Sequence, residues 1–151
     1  MFQIEQIVEG IEDQLVLEEY TERIELVVHK LKFMDAVPVA LLDLEANQNP
    51  TLSPFLELAG GLLAESANQG VYIIFAASGA DLNNMMAHVP ALLDAEWQAV
   101  QNNRVALLNL DVYNLEEAKD RVSLLEDLAE ILHPGSFIFG NEGNAWIRFG
   151  S

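Results

Sequence analysis

The residues here whose types and positions could do chemistry sit at the ends of apolar runs. Asp43 and Glu45 fall at the end of the run 39–44, Ser78-Gly79 follow the run 71–76, and Asp111 follows the run 104–110. Asn47 and Tyr113 stand just beyond two of these ends. The set offers hard oxygen ligands and one aromatic ring. Such carboxylates suit Mg²⁺ or Ca²⁺, or an acid–base pair. The simpler account, favoured here, makes them solvated loop residues and helix caps, with Asp81 an N-cap. Glu45, Asn47, Ser78, Gly79, Asp111 and Tyr113 are the expected ligand contacts. No catalytic residue, metal ligand or cofactor is assigned. There is no Gly-rich phosphate loop, nucleophile elbow or zinc-ligand spacing, and no cysteine. His29 reads as a core-edge or solvated residue, His133 as a partner of helix-terminal carbonyls, and Trp97 and Trp146 as packing residues.

Three apolar runs must position that set. Val71 to Ala76, bounded by Gly70 and Ser78-Gly79, is apolar on both faces, as a strand covered by helices requires. The runs 39–44, opened by Pro38, and 104–110 read the same way. Between them lie helical patterns. Phe2, Ile4, Ile7, Val8 and Ile11 recur at helical spacing, and Leu17 to Met34 carries a second amphipathic helix. Ser53-Pro54 opens a helix that ends at Gly60-Gly61, and 62–69 is a short connection of helical character. The helix 115–132 places Val122, Leu125, Leu128, Ala129 and Leu132 on one face and Glu126 and Asp127 off it, and stops at His133-Pro134. In the tail, two aromatic runs around a Gly-Asn-Glu-Gly turn predict a hairpin. Strands separated by helices imply a parallel sheet with right-handed crossovers. The expected fold is a three-layer α/β domain, a mainly parallel sheet flanked by helices plus a C-terminal hairpin-like tail. It is read as one domain: a helical segment 1–34, a lobe 37–134 and an aromatic tail 135–151. Ile74 should be fully buried.

Composition narrows the partners. With 24 acidic and 7 basic residues the net charge is −17. That field repels phosphate backbones and anionic membrane, so nucleic acid and membrane insertion are not expected. No signal peptide or membrane-length apolar run is visible. The chain as it stands reads as cytoplasmic, or as periplasmic if a signal has been trimmed.

Six segments in order carry a resemblance. They are the helix end at 19–31, the strand at 38–44, FLELAGG (55–61), VYIIFAASGADL (71–82), EWQAVQNNRVALLNLD (96–111) and LLEDLAEILHPGSF (124–137). Together they resemble the C-terminal lobe of two-lobed substrate-binding proteins of ABC importers, the branch holding cobalamin binders and their iron-siderophore relatives. The resemblance implies a ligand cleft at the strand ends and a non-enzymatic role. The chain departs from the family in five places, one of them an extra tail after Phe137. Fewer residues precede Leu17 than a second lobe needs. Thr51 stands where an aromatic is expected. Tyr113-Asn114-Leu115-Glu116 replaces an Arg- and Pro-rich turn, and the segment before the central strand is short.

The leading expectation is therefore a stand-alone binding lobe for a corrinoid, siderophore or haem-like molecule, or for a partner protein. The alternatives are an oligomeric assembly protein without a ligand, and a metal-assisted enzyme using Asp43, Glu45 and Asp111. A homodimer is expected, through Phe2, Ile4, Ile7 and Ile11 or through Phe137, Phe139, Trp146 and Phe149.

Overall fold

A computed structural model describes residues 4–149. A short helix α1 (Ile4–Ile7) precedes the long helix α2 (Gln14–Leu31), β1 (Val37–Leu42), α3 (Ser53–Leu58) and β2 (Gly61–Leu63). Then come β3 (Tyr72–Ala77), α4 (Leu82–His88), α5 (Gln98–Gln101), β4 (Val105–Asn109), α6 (Ala118–Leu132) and β5 (Trp146–Phe149). The five strands form one sheet in the order β2-β1-β3-β4-β5. The first four are parallel, and β5 runs antiparallel to β4. This is the mainly parallel, helix-flanked α/β sheet that the apolar runs predicted.

Strand alternation divides the interior in two. Val39, Leu41, Tyr72, Ile74, Ala76, Ala106 and Leu108 point to the side covered by α2, α3 and α6. Ala40, Leu42, Ile73, Phe75, Val105 and Leu107 point to the side covered by α4 and α5. Ile74 is 0% exposed. Local chemistry starts the helices. Asp13 accepts the backbone N–H groups of Leu15 and Val16 at the head of α2, and Asp81 accepts that of Asn84 at the head of α4, as expected.

Four expectations need correction. The run 62–69 is not helical from its start, because Gly61–Leu63 adds an edge strand to β1. The tail is no hairpin: β5 pairs with β4, register Leu108 to Trp146, while Phe137 and Phe139 pack on the core outside any strand. The apolar spacing of the N-terminus ends at Ile7, since the chain turns at Gly10 with φ +93°. Finally, the apolar ends of the chain are spent within it. Ile7, Phe137 and Trp146 are buried, and Ile4, Phe139 and Phe149 pack on the two cores. Arg121 Nε donates to Ile7 O at 2.7 Å and fixes the N-terminal segment on α6. Phe2 lies outside the described residues. Of the residues expected at a dimer face, Ile7, Phe137 and Trp146 are thus enclosed by their own domain, while Ile4 and Ile11 stay half-buried.

Candidate functional site

The C-terminal ends of β1, β3 and β4 open on one edge of the sheet, where ligands of open α/β folds lie. Five of the six expected contacts lie there. Asp43 Oδ1 accepts the backbone N–H groups of Glu45 at 2.8 Å and Asn47 at 3.0 Å. This closes a turn with Ala46 at φ +61° and leaves Glu45 and Asn47 exposed. His88 Nε2 lies 2.8 Å from Leu44 O, tying α4 to the same loop. After β3, Ser78 and Gly79 are exposed, and Gly79 takes φ +80°. The Gly79 N–H donates to Asp111 Oδ2 at 2.7 Å, and the Asp111 N–H donates to Asn109 Oδ1 at 3.0 Å. Asp111 therefore clamps the loop after β3 to the loop after β4. Glu45, Asn47, Ser78, Gly79 and Asp111 share one exposed edge.

Tyr113 does not join them. It is 8% exposed, and its hydroxyl donates to Asp127 Oδ2 at 2.5 Å. Asn141 Nδ2 donates to the other oxygen, Oδ1, at 2.9 Å. A cavity of 120 Å³ lies against this group, bordered by Asp120 and Ser123. Burial raises the Asp127 carboxyl to about 6; the two hydrogen bonds lower it, and Glu130 and Glu126 add to the rise. Burial first, then Asp127, pushes the Tyr113 hydroxyl up. The pair holds the segment after β4 against α6.

The helical pattern of 115–132 set Glu126 and Asp127 apart from the apolar stripe, yet both are buried, as is Glu130. Each has a partner. Arg23 donates to both oxygens of Glu126, at 2.5 and 3.2 Å, and the Phe139 N–H donates to Glu130 Oε1 at 2.6 Å. Leu124 and Ile131 carried the missed signal. They lie off the stripe, and a helix apolar on several sides is covered on several sides. Near the other end of α6, His133 Nε2 is buried without a hydrogen-bond partner among the described residues. Burial holds that imidazole below its usual range, opposed by the Gly60 backbone. The backbone N–H of His133 donates to Ala129 O at the end of α6, at 2.9 Å.

Asp43 and Asp111 spend carboxylate oxygens on backbone N–H groups. No group of three His, Asp or Glu side chains among the described residues is arranged to hold a metal ion. Other concavities lie elsewhere: a groove of 670 Å³ between α1 and α2, and a depression of 440 Å³ by Arg104 and Tyr72 at the opposite sheet edge. No described helix is long and apolar enough to cross a membrane.

Comparisons with known proteins give a likeness of fold. No family model matches the chain, and no curated protein matches it in sequence. Solved structures do match. A substrate-binding protein of an ABC transporter from Listeria monocytogenes EGD-e superposes at TM-score 0.59 with 18% identity, over 76% of this chain and 54% of that one. The TroA-like periplasmic binding protein FepB from Veillonella parvula gives TM-score 0.60, 13% identity, and 82% and 47% coverage. CeuE from Helicobacter pylori, solved as a nickel–histidine complex, gives TM-score 0.62, 17% identity, and 90% and 53% coverage. The chain spans about half the length of each.

Proposed function

We propose that this chain is a non-enzymatic binding module, a lobe whose ligand surface is the exposed edge formed by Glu45, Asn47, Ser78, Gly79 and Asp111. The carrying observation is the clamp from Gly79 N–H to Asp111 Oδ2 at 2.7 Å. It fixes two strand-end loops side by side while leaving the Ser78 hydroxyl and the Glu45 and Asn47 side chains exposed. The ligand class is a corrinoid, siderophore or haem-like molecule, or a partner protein. The periplasmic binding proteins sharing the fold support this reading. An open edge encloses less of a ligand than the 70–90% typical of closed pockets, so contact with the edge alone is weak and a second surface completes it. Tyr113, expected among the contacts, supports the lobe from within.

A thermal-shift screen against cobalamin, haemin, a ferric siderophore and the nickel–histidine complex tests the reading. Stabilisation by one of the four, lost in Ser78→Trp, is expected. No stabilisation by any of them at millimolar concentration would overturn the small-molecule form.

A second reading is self-association. The apolar residues exposed along α2 favour it.

A further inference from the structure

Helix α2 has two unlike faces. Ile24, Val27 and Leu31 enter the core. Leu15, Glu19, Glu22, Leu26, His29 and Phe33, the last just past the helix end, are all exposed. Their spacing alternates four and three residues, the pattern of a heptad seam. Leu15 is 76% exposed, Leu26 66% and Phe33 83%. Single exposed apolar residues need no explanation, but Leu26, His29 and Phe33 follow one another on one side, with Leu15 at the far end of the row beyond Glu19 and Glu22. Around Leu26 the row borders the 670 Å³ groove, whose floor includes Ile4 and Val28. The His29 and Phe33 rings meet edge to face at 6.4 Å, one turn apart on the same side.

We propose that this row is the contact face of a two-fold dimer in which α2 lies antiparallel on α2 of a second copy. The inference rests on the self-association reading above and is independent of any small ligand. The row is self-complementary when reversed. One register sets Leu15 against Phe33, Glu19 against His29 and Glu22 against Leu26, so every a position meets a d position. On the flank, the same register sets Glu18 opposite Lys32. Lys32 forms no ion pair among the described residues; its ammonium lies 6.0 Å from the Phe33 ring. The N-terminal part of α2 carries Glu18, Glu19, Glu22 and Glu25, while its C-terminal end carries His29, Lys30 and Lys32. Antiparallel pairing brings acid to base and opposes the helix dipoles favourably. Parallel pairing would set four glutamates against their own copies.

Two groups meet their own copies near the axis. Arg23 is already neutralised by Glu126. Glu25 is not, and with the net charge of −17 it makes the dimer tighten as salt rises.

Analytical ultracentrifugation of the full chain across a salt series tests the proposal. The wild type should sediment at twice 16.7 kDa. Leu26→Lys with Phe33→Lys should weaken association at least about tenfold while far-UV circular dichroism stays that of the folded chain, since both side chains are exposed. Glu18→Lys and Lys32→Glu should each weaken it, and together restore it. Because the chain has no cysteine, Glu25→Cys should link to its own copy on oxidation, whereas Leu15→Cys should not. A wild type monomeric at every salt would overturn self-association itself. A wild-type dimer that survives the double lysine variant, or a Glu25→Cys variant that does not link, would overturn this face while leaving self-association standing.

Discussion

Helix α6 and the strand-end loops use the same acidic residues under opposite conditions. Glu126, Asp127 and Glu130 lie buried in α6, each held by a side chain or backbone donor from a distant segment. Glu45 and Asp111 lie exposed at the strand ends, and the hydrogen bonds of Asp111 reach only the loop after β3 and a residue two positions away. A buried carboxylate left unpaired would cost several kcal/mol, so those on α6 are committed to architecture. An exposed carboxylate costs little wherever it points and stays available to a ligand. Residue type alone does not separate a structural acid from an available one; the enclosure around it does.

The contrast can be sharpened by substitution, and the largest effect belongs to the sheet both regions rest on. Ile74→Ala, at a position with no exposure, should cost roughly 2–5 kcal/mol in urea unfolding. A loss under about 0.5 kcal/mol would contradict its place in the central strand.

Next comes the pH dependence of Asp127. Its folded value of about 6 lies above the ordinary 3.8. The folded state therefore holds a proton that the unfolded chain has released between those values. The stability this group contributes is fully present below pH 3.8 and is lost as pH rises through 6. The loss is about 3 kcal/mol over that window, at 1.36 kcal/mol per pH unit. Unfolding of wild type and Asp127→Asn from pH 4 to 7 should show their stability difference moving against the wild type, then levelling off. Parallel curves would contradict the buried carboxylate.

A smaller loss is expected at the Arg23–Glu126 pair. Glu126→Ala removes a two-oxygen contact from a guanidinium whose side chain is 36% exposed, so solvent makes good part of it. A cost of about 1–2 kcal/mol is expected in the same assay. The smallest effect should fall at the exposed edge. Asp111→Ala should move the melting temperature by no more than about 2 °C while weakening ligand binding. A fall as large as that of Glu126→Ala would make Asp111 architectural too and erase the contrast.

How much of this was legible in the sequence follows from the same distinction. β3 could be read because Tyr72 to Ala77 is apolar on both faces and bounded by turn residues. β2 could not, since Gly61-Leu62-Leu63 is too short to show a period. Both aromatic runs of the tail were visible. The partner of β5 was not, because Trp146 pairs with Leu108 across a distance in sequence that no turn signal specifies. The exposed strand-end positions of Glu45, Asn47, Ser78, Gly79 and Asp111 could be read from the ends of the apolar runs. Tyr113 was misplaced because its partner, Asp127, lies fourteen residues on in a helix whose second cover cannot be inferred from one stripe.

The central proposal is that the exposed edge is the surface of this chain that meets the ligand. Backbone amide shifts in ¹⁵N-labelled protein, followed during titration with cobalamin, haemin and a ferric siderophore, test it most directly. The predicted result is that one of the three moves Glu45 to Asn47, Ser78, Gly79 and Asp111 together and leaves Asp127 and Asn141 still. Shifts confined to the opposite edge around Val37, Val71 and Arg104, or none at saturating ligand, would contradict it.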